Sequence, residues 1–206
     1  PKSTYFYSRL QLDIAGNLLR AFNPLMKKDA NGSGMIWNTP YSQFVRAELT
    51  LGRTWVWGRN NGHSIATRLL AGAGYAYGNS SALPFEKHFY GGGANSLRGW
   101  QARTVGPGTS PLDKSFVIPN QTGDMKLEAN LEYRFDMFWK VAGAVFADAG
   151  NIWMLKDDGT EAGRESMISK DTFAESIAAN WGVGLRLNFG FLLLRVDMGM
   201  KVHDPA

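Results

Sequence analysis

The sequence predicts an all-β protein, and more specifically a transmembrane antiparallel β-barrel, on three observations. Apolar and polar residues alternate with a period of two along seven segments, which is the pattern of strands with one apolar and one polar face. The connections between these segments alternate between long and short. The chain also contains 24 Gly and 13% aromatic residues, and aromatic girdles are typical of membrane barrels.

The alternation is clearest in the fourth segment, residues 125–136, and it defines the other six segments in the same way. The fourth segment places Met125, Leu127, Ala129, Leu131, Tyr133 and Phe135 on one face and Lys126, Glu128, Asn130, Glu132, Arg134 and Asp136 on the other. The remaining segments are 8–15, 45–57, 65–77, 141–148, 181–188 and 192–201. We therefore predict seven strands.

The connections sort by length. Residues 21–41, 78–123 and 150–178 form long connections, and residues 59–62, 137–138 and 189–190 form short ones. Outer-membrane barrels have long extracellular loops and short periplasmic turns, so we assign the two sets accordingly. A soluble β-sandwich or a lipocalin-like barrel is the alternative, but such folds do not require this sorting of turns.

Composition excludes several classes of function. With no Cys, the chain has no disulfide framework and no thiolate metal site, and its three His are too widely spaced to suggest a metal site. The net charge of +4 is spread along the chain, which argues against a nucleic-acid partner. We expect no metal and no cofactor.

The 206 residues suffice for one large domain, and we assign residues 1–206 to the C-terminal part of a barrel with no second domain. There is no apolar run of about 18 residues, so no transmembrane helix is predicted. The chain starts at Pro1 without a signal peptide, and we expect a longer precursor. Seven strands do not close a bacterial barrel, because those barrels use an even number, and an open edge in lipid leaves backbone groups unsatisfied. We therefore expect further strands on both sides.

The glycine-rich stretch from Phe89 to Gly108 is the exception to the strand pattern. Its glycines permit sharp turns and close approach to a wall. Its Arg98 carries a planar guanidinium that can bind a carboxylate through two hydrogen bonds. By parity, Glu132 and Asp148 lie on the polar face. Charge and parity alone leave a solvated Arg98 and a hydrated polar lining as the simpler interpretation, and we expect Arg103 to be a solvated loop charge or a weak lumenal partner.

Two motifs carry a resemblance to a known family. Residues 92–100, with Gly106-Pro107-Gly108, resemble the loop-six signature of the BamA/TamA outer-membrane assembly superfamily, and residues 146–150 resemble its second signature, F-x-D-x-G. The loop-motif residues are Gly92, Gly93, Leu97, Arg98, Gly99, Trp100, Gly106 and Gly108. The resemblance implies that Arg98 pairs with the lumenal carboxylates Glu132 and Asp148. It also implies about seven strands of a barrel of about 16, with the long loop folded inward.

Within this superfamily, several runs resemble TamA-like proteins of the Bacteroidota, the lipoprotein form called TamL. These runs are residues 76–80, 83–87, 121–124, 127–135 and 203–205. The resemblance implies a non-enzymatic factor of the bacterial outer membrane that inserts or exports client proteins through a lateral seam. The partners implied are outer-membrane lipids and lipopolysaccharide, client outer-membrane proteins and a TamB-like assembly partner. A two-partner secretion pore, the barrel of a patatin-like phospholipase and a passive porin are the alternatives.

Other motifs give weaker predictions. Gly91-Gly92-Gly93 lacks the strand–loop–helix context of a phosphate-binding loop, and Ser96 or Ser110 lacks a recognisable base for nucleophilic catalysis. Seven aromatic residues near strand ends are expected to anchor at the membrane interfaces. They are Trp55, Trp57, Tyr75, Tyr77, Trp139, Trp153 and Trp181.

Overall fold

Seven long strands dominate the computed structural model, which describes residues 3–111, 121–157 and 159–205. The strands are β1 Tyr5–Ala15, β2 Met35–Ile36, β3 Thr39–Pro40, β4 Phe44–Trp57, β5 His63–Ala76, β6 Met125–Phe138, β7 Val141–Trp153, β8 Ala178–Asn188 and β9 Leu193–His203. Two short helices, α1 Asn17–Ala21 and α2 Glu161–Glu165, and the 3-10 turns Asn23–Leu25, Arg59–Asn61 and Phe85–Lys87 lie between them. Within the described ranges, no helix is long and apolar enough to cross a membrane.

The long strands form one antiparallel sheet in the order β1-β4-β5-β6-β7-β8-β9, and β2 pairs only with β3. Each long strand therefore pairs with the next long strand along the chain, as an up-and-down barrel wall requires. The hairpin registers follow the predicted parity, so that Glu132 lies opposite Phe146 and Asp148 lies opposite Asn180. The prediction of an antiparallel β-barrel wall is confirmed, and the number of about 16 strands stays a prediction.

All seven predicted segments are strands, but several boundaries differ. β1 begins at Tyr5 rather than Ser8, and β7 continues to Trp153 instead of ending at Asp148. The extension of β7 follows from its partner, because Met125 at the start of β6 pairs with Trp153. β2, β3 and the helices were not predicted, because they are too short to show a period. Residues 112–120 of the predicted central loop lie outside the described residues.

The two faces of the sheet have inverted burial compared with a soluble protein. Apolar side chains of one face are exposed, as for Leu10 at 72% and Leu69 at 56%, whereas Glu128 and Asp148 on the other face are 4% and 2% exposed. A soluble sandwich would bury its apolar face. This sheet exposes that face instead, as the wall of a transmembrane barrel does toward lipid.

The long connection between β5 and β6 covers the polar face. It is anchored where the Phe89 N–H donates to the Gly123 carbonyl (2.8 Å) and the Gly123 N–H donates back (2.9 Å). Farther along, Leu97, Trp100 and Val105 form a small buried cluster with Ala178 at the start of β8. The predicted inward-folded loop is present, and it places residues 93–100 over β6, β7, β8 and β9.

One predicted interfacial anchor is wrong. Trp153 is fully buried, stacks on Phe173 at 5.7 Å and donates its indole N–H to the Ser176 hydroxyl (3.1 Å). The cause is the long extension of β7, which carries Trp153 beneath the β7–β8 connection. The other predicted anchors differ from it, since Trp55, Trp57, Tyr75, Trp139 and Trp181 are exposed.

Candidate functional site

The tip of the long loop is a compact turn closed by its own backbone. The Ser96 N–H donates to the Gly93 carbonyl (3.0 Å), the Gly93 N–H to the Trp100 carbonyl (2.9 Å) and the Trp100 N–H to the Leu97 carbonyl (3.2 Å). Gly92 has a φ of +88°, and a Cβ there would lie 2.1 Å from the Gln101 carbonyl oxygen. The turn therefore requires glycine at this position.

Apolar side chains hold the tip against the wall. Leu97 is 1% exposed and packs with Trp100, Val105 and Ala178. The indole N–H of Trp100 points to the Asp204 carboxylate (3.4 Å), and the Lys201 ammonium lies 5.0 Å from the Trp100 ring centroid. Packing of Leu97 and Trp100 therefore holds the backbone around Arg98 in place, independently of the charge of Arg98.

Arg98 forms a bidentate ion pair with Asp148 of β7. Its Nε and Nη2 donate to the two carboxylate oxygens at 2.9 and 2.8 Å, and its backbone N–H donates to the same carboxylate at 3.2 Å. Its Nη1 donates to Glu132 of β6. Below the guanidinium, the Phe146 ring centroid lies 3.5 Å from Cζ, a cation–π contact in a desolvated setting. We call this arrangement of Arg98, Asp148, Glu132 and Phe146 the Arg98 clasp.

The carboxylates of the clasp are satisfied by further donors. Asn130 of β6 and Asn180 of β8 donate to the Asp148 oxygens at 2.9 and 3.0 Å. The Asp148 side chain is fully buried, and five hydrogen bonds reach it from three side chains and one backbone N–H. A buried carboxylate with this number of donors is held in its ionised form, and breaking one contact leaves a desolvated charge.

Glu132 extends the network toward the edge strand β9. Its Oε1 accepts from Arg134 (2.7 Å) and from Arg186 of β8 (3.0 Å). Arg186 also pairs with Asp197 of β9, and Asp197 pairs with Arg195 at 3.1 Å. Charge pairs therefore run without a break from Arg98 of the loop through β6 and β8 to β9, and Asp148 of β7 joins them at Arg98.

The loop also contacts β9 directly. The Arg195 guanidinium donates to the Ala94 carbonyl and to the Asn95 side-chain oxygen (3.0 Å). A Cβ on Gly199 would lie 2.9 Å from the Arg98 carbonyl oxygen, so loop backbone and β9 backbone are in close contact there. The loop tip is consequently attached to β9 as well as to β6 and β7.

A second polar cluster attaches the loop to β5 and β6. Glu128 accepts from the Ser96 hydroxyl and from Arg68, and it pairs with Lys126 at 2.9 Å. The Asn130 amide also donates to the Ser96 carbonyl (2.9 Å). Ser96, considered above as a nucleophile, is therefore a loop anchor.

Electrostatics favours the charged form of Arg98. Burial alone would lower its pKa, but hydrogen bonds and charge from Asp148 and then Glu132 outweigh burial, and the pKa of Arg98 lies above its ordinary value. The guanidinium is therefore a fixed charge whose two carboxylate partners compensate it. This geometry orients a loop and does not resemble a constellation for bond chemistry.

The other loop-motif residues lie where the loop crosses β7. The Gly108 N–H donates to the Ile152 carbonyl (2.8 Å), and the Asn151 side chain donates to the Gly108 carbonyl (2.7 Å). Gly106 packs on the same two β7 residues. Gly93 and Gly99 lie within the tip itself, where a Cβ on Gly99 would meet Asn180 at 2.8 Å.

Arg103 differs from the expected solvated charge. It is half-buried, and its Cζ lies 4.9 Å from the Tyr90 ring centroid and 5.2 Å from that of Phe85. Its φ of +63° turns the chain so that its N–H bonds the Gly91 carbonyl (2.8 Å). Arg103 therefore packs within the loop.

Sequence reasoning missed four participants in the site: Asn130, Asn180, Arg186 and Phe146 as a ring beneath Arg98. Parity already placed Asn130 and Arg186 on the polar face. Asn180 shares that face because it precedes Trp181, which points outward. The signal in the sequence was parity, whereas the strand pairing shows that Asn130, Asp148 and Asn180 lie opposite one another on β6, β7 and β8.

The fold and the clasp define a class of protein: the wall of a transmembrane β-barrel with its longest loop held against the lumenal face. A family model described as the Omp85 superfamily domain matches residues 32–206, so the chain belongs to the Omp85 superfamily. It is a protein of the Gram-negative outer membrane, as Omp85 barrels are.

One relative and one solved structure are similar to this chain. The chain is 29% identical over 119 residues to the outer membrane protein assembly factor BamA of Neisseria meningitidis serogroup B, covering 55% of this chain and 15% of that protein. The crystal structure of BamA from Haemophilus ducreyi lacking POTRA domains 1-3 matches with a TM-score of 0.60 and 17% identity, over 78% of this chain and 32% of that chain. The second likeness shows the fold alone. The chain spans less than a third of either relative.

Proposed function

We propose that this chain is the C-terminal barrel part of an outer-membrane protein assembly or translocation factor of the BamA/TamA type. Membership of the Omp85 superfamily and the likeness to a BamA protein support the proposal. The observation that carries it is the Arg98 clasp, in which one loop arginine is bound by carboxylates from two strands. Breaking a buried ion pair leaves an uncompensated charge, so the clasp holds the loop in one position against the wall.

The mechanism involves no bond chemistry. Client strands pair through their backbone with an exposed strand at a lateral seam between the first and last strands of the barrel, as in β-augmentation. Thinning of the local bilayer lowers the cost of insertion. The clasp contributes by holding β6, β7, β8 and β9 in one arrangement, because its charge pairs reach Asp197 and Arg195 on β9.

The finer assignments belong to the same proposal. The runs that resemble TamL support a TamA-like rather than a BamA-like factor, with a TamB-like partner, and with outer-membrane lipids and lipopolysaccharide as surroundings. Residues 1–206 would then belong to one barrel of about 16 strands. A two-partner secretion pore or a patatin-like phospholipase barrel is the alternative, and the N-terminal domains of the full-length protein distinguish them.

Assembly of a client barrel tests the proposal. The full-length protein is reconstituted in liposomes, and folding of an added client is followed by its heat-modifiable mobility in gels. For Arg98→Ala we expect a loss of assembly rate of about tenfold or more, since at least one charge-assisted contact is lost. Arg98→Lys, which keeps the charge without the bidentate geometry, should lie between Arg98→Ala and the unsubstituted protein.

Arg164→Ala is the matched control, because Arg164 is an exposed arginine on α2. Heat-modifiability of the factor itself reports whether each variant is folded. A folded Arg98→Ala variant that assembles clients at the unsubstituted rate would contradict the role of the clasp. A large, steady ion conductance without client assembly would favour a passive porin instead.

A further inference from the structure

The outward face of the sheet contains one anomaly, Arg53 on β4. Its neighbours of the same parity on this strand are Leu49, Leu51, Trp55 and Trp57, so its side chain lies on the apolar face, and it is exposed. Phe6 of β1 and Thr67 of β5 lie directly opposite it. Charged side chains on the lipid face of a barrel are destabilising in a depth-dependent way, so an arginine here requires an explanation.

The guanidinium of Arg53 contrasts with the lumenal cations. Arg46, Arg68, Arg98, Arg134, Arg186 and Arg195 all form ion pairs with carboxylates. For Arg53, the contact made within the described ranges is with the Trp55 ring, whose centroid lies 4.8 Å from Cζ. Five N–H donors of a guanidinium are thus directed to the membrane side without a carboxylate from the described residues.

The position of Arg53 along β4 indicates which part of the bilayer it reaches. It precedes the end of the strand at Trp57 by four residues, which is about 13 Å along a strand and about 10 Å along the membrane normal at a tilt of about 40°. The contact with Trp55 directs the side chain toward that end. A short turn follows there, so this end is the one we assign to the periplasm. A long cationic side chain in this position extends its head toward the interface.

The surrounding surface has the composition of an interface. The rings of Trp57, His63 and Tyr133 form one stacked group, in which each pair of ring centroids is about 6 Å apart, and the His63 Nδ1 lies 2.9 Å from the Tyr133 hydroxyl. Aromatic and amphipathic rings of this type lie at the level of lipid headgroups. The Arg53 guanidinium lies on the bilayer side of this aromatic group and is therefore within reach of a headgroup phosphate.

We propose that Arg53 and Trp55 form a binding site for the phosphate of a phospholipid in the periplasmic leaflet. The planar guanidinium binds two phosphate oxygens, and the Trp55 ring keeps it oriented toward the headgroup. The acyl chains lie along the leucine-rich face above it. The inference rests on the predicted orientation of the barrel and is independent of client assembly.

Native mass spectrometry of the full-length protein in detergent tests the site. Palmitoyl-oleoyl phosphatidylglycerol is added to the protein, and a diacylglycerol with the same acyl chains serves as the ligand without phosphate. We expect phosphatidylglycerol to bind the unsubstituted protein about tenfold more tightly than it binds Arg53→Gln, as for the loss of one charge-assisted contact. Diacylglycerol should bind both proteins weakly and equally. Lys170→Gln, which removes an exposed cation from the β7–β8 connection, should bind phosphatidylglycerol as the unsubstituted protein does.

Three results would overturn the inference. Equal binding of phosphatidylglycerol to the unsubstituted protein and Arg53→Gln would exclude Arg53 from the site. Equal binding of the two lipids to the unsubstituted protein would show that acyl chains alone are recognised. A second protein chain that binds in an Arg53-dependent manner, instead of lipid, would assign the guanidinium to a protein interface. If Arg53→Gln does not fold, Trp55→Leu and Arg53→Lys provide the same comparison, and each is expected to weaken binding of phosphatidylglycerol but not of diacylglycerol.

Discussion

The two faces of β6 and β7 differ in how their side chains are satisfied. On the lumenal face, Glu132 and Asp148 are nearly inaccessible to solvent, and each accepts several hydrogen bonds from protein donors. On the outer face, Leu131 at 49% and Val145 at 42% are exposed, and lipid is expected to cover them. The difference shows that polar contacts on the lumenal face fix the arrangement of the loop and strands, while the apolar outer face makes the wall soluble in lipid.

Two arginines summarise the contrast. Arg98 is brought to the lumenal face by a loop, and two carboxylates compensate its charge. Arg53 lies on the outer face with an indole as its contact. Hydrogen-bond acceptors for Arg98 come from the protein itself, whereas an acceptor for Arg53 has to come from the surroundings. Substitutions on the two faces are therefore expected to change the free energy of unfolding by different amounts.

The largest effect is expected from Asp148→Ala. The change removes the bidentate partner of Arg98 and the Asp148 acceptor of the Asn180 amide, while the Asn130 amide keeps its bond to the Ser96 carbonyl. Removal of one member of a buried ion pair costs about 3–5 kcal/mol of the free energy of unfolding. Urea unfolding of the full-length protein in lipid vesicles, followed by tryptophan fluorescence, measures the change.

Asp148→Asn and Asp171→Ala complete this test. The asparagine retains part of the hydrogen bonding and should cost less than the alanine. Asp171 is an exposed carboxylate of the β7–β8 connection, and its removal should leave the free energy of unfolding unchanged within about 0.5 kcal/mol. If Asp148→Ala costs no more than Asp171→Ala, the lumenal carboxylate is not a source of stability.

A smaller loss is expected when a charge is placed on the outer face. Leu131→Arg puts a guanidinium near the middle of β6 on the lipid side, next to the buried Glu132 of the opposite face. An arginine near the bilayer midplane of a barrel costs about 2–4 kcal/mol. The same urea experiment gives the value, and Leu194→Arg, close to the β8–β9 turn, should cost only about 0–1 kcal/mol.

Equal costs for Leu131→Arg and Leu194→Arg would indicate that the apolar face does not lie in a bilayer with the depth that we assign to it. The comparison also bears on Arg53. A natural arginine between these two depths is tolerated only where its head can extend toward the interface. The pair of leucine substitutions therefore calibrates the depth of the proposed phosphate site.

Most of the fold was predictable because a barrel strand has a rigid period. Side chains alternate between lipid and lumen, so the residue pattern records the face of every position. What the pattern does not contain is the length of a strand beyond its apolar run. β7 continues through Asn151, Ile152 and Trp153 because these residues pair with the start of β6, and their burial reflects tertiary contacts without a periodic signal.

The site was predictable in part. The resemblance to the two signatures named Arg98, Glu132 and Asp148, and the structure brings these three side chains together. Asn180 and Arg186 depend on the register of β8 against β7, which only pairing of the strands reveals. Arg53 could have been noticed from parity alone, since it occupies an outward position between Leu51 and Trp55. Assigning it a role requires knowing which face of the sheet contacts lipid.

The smallest effect is expected from Arg134→Ala. Arg134 pairs with the same Glu132 carboxylate as the clasp, at 2.7 Å, but its side chain is 45% exposed. Because water screens this pair and Glu132 keeps Arg98 and Arg186, the loss should be about 0.2–1 kcal/mol, and high salt should reduce it further. Urea unfolding at low and high NaCl measures both quantities. If Arg134→Ala instead destabilises the barrel as much as Asp148→Ala at either salt concentration, then burial beneath the loop does not distinguish the clasp from the rest of the lumenal charges. The strength of the clasp would in that case come from the number of its partners, since solvent exclusion by Leu97 and Trp100 would contribute little.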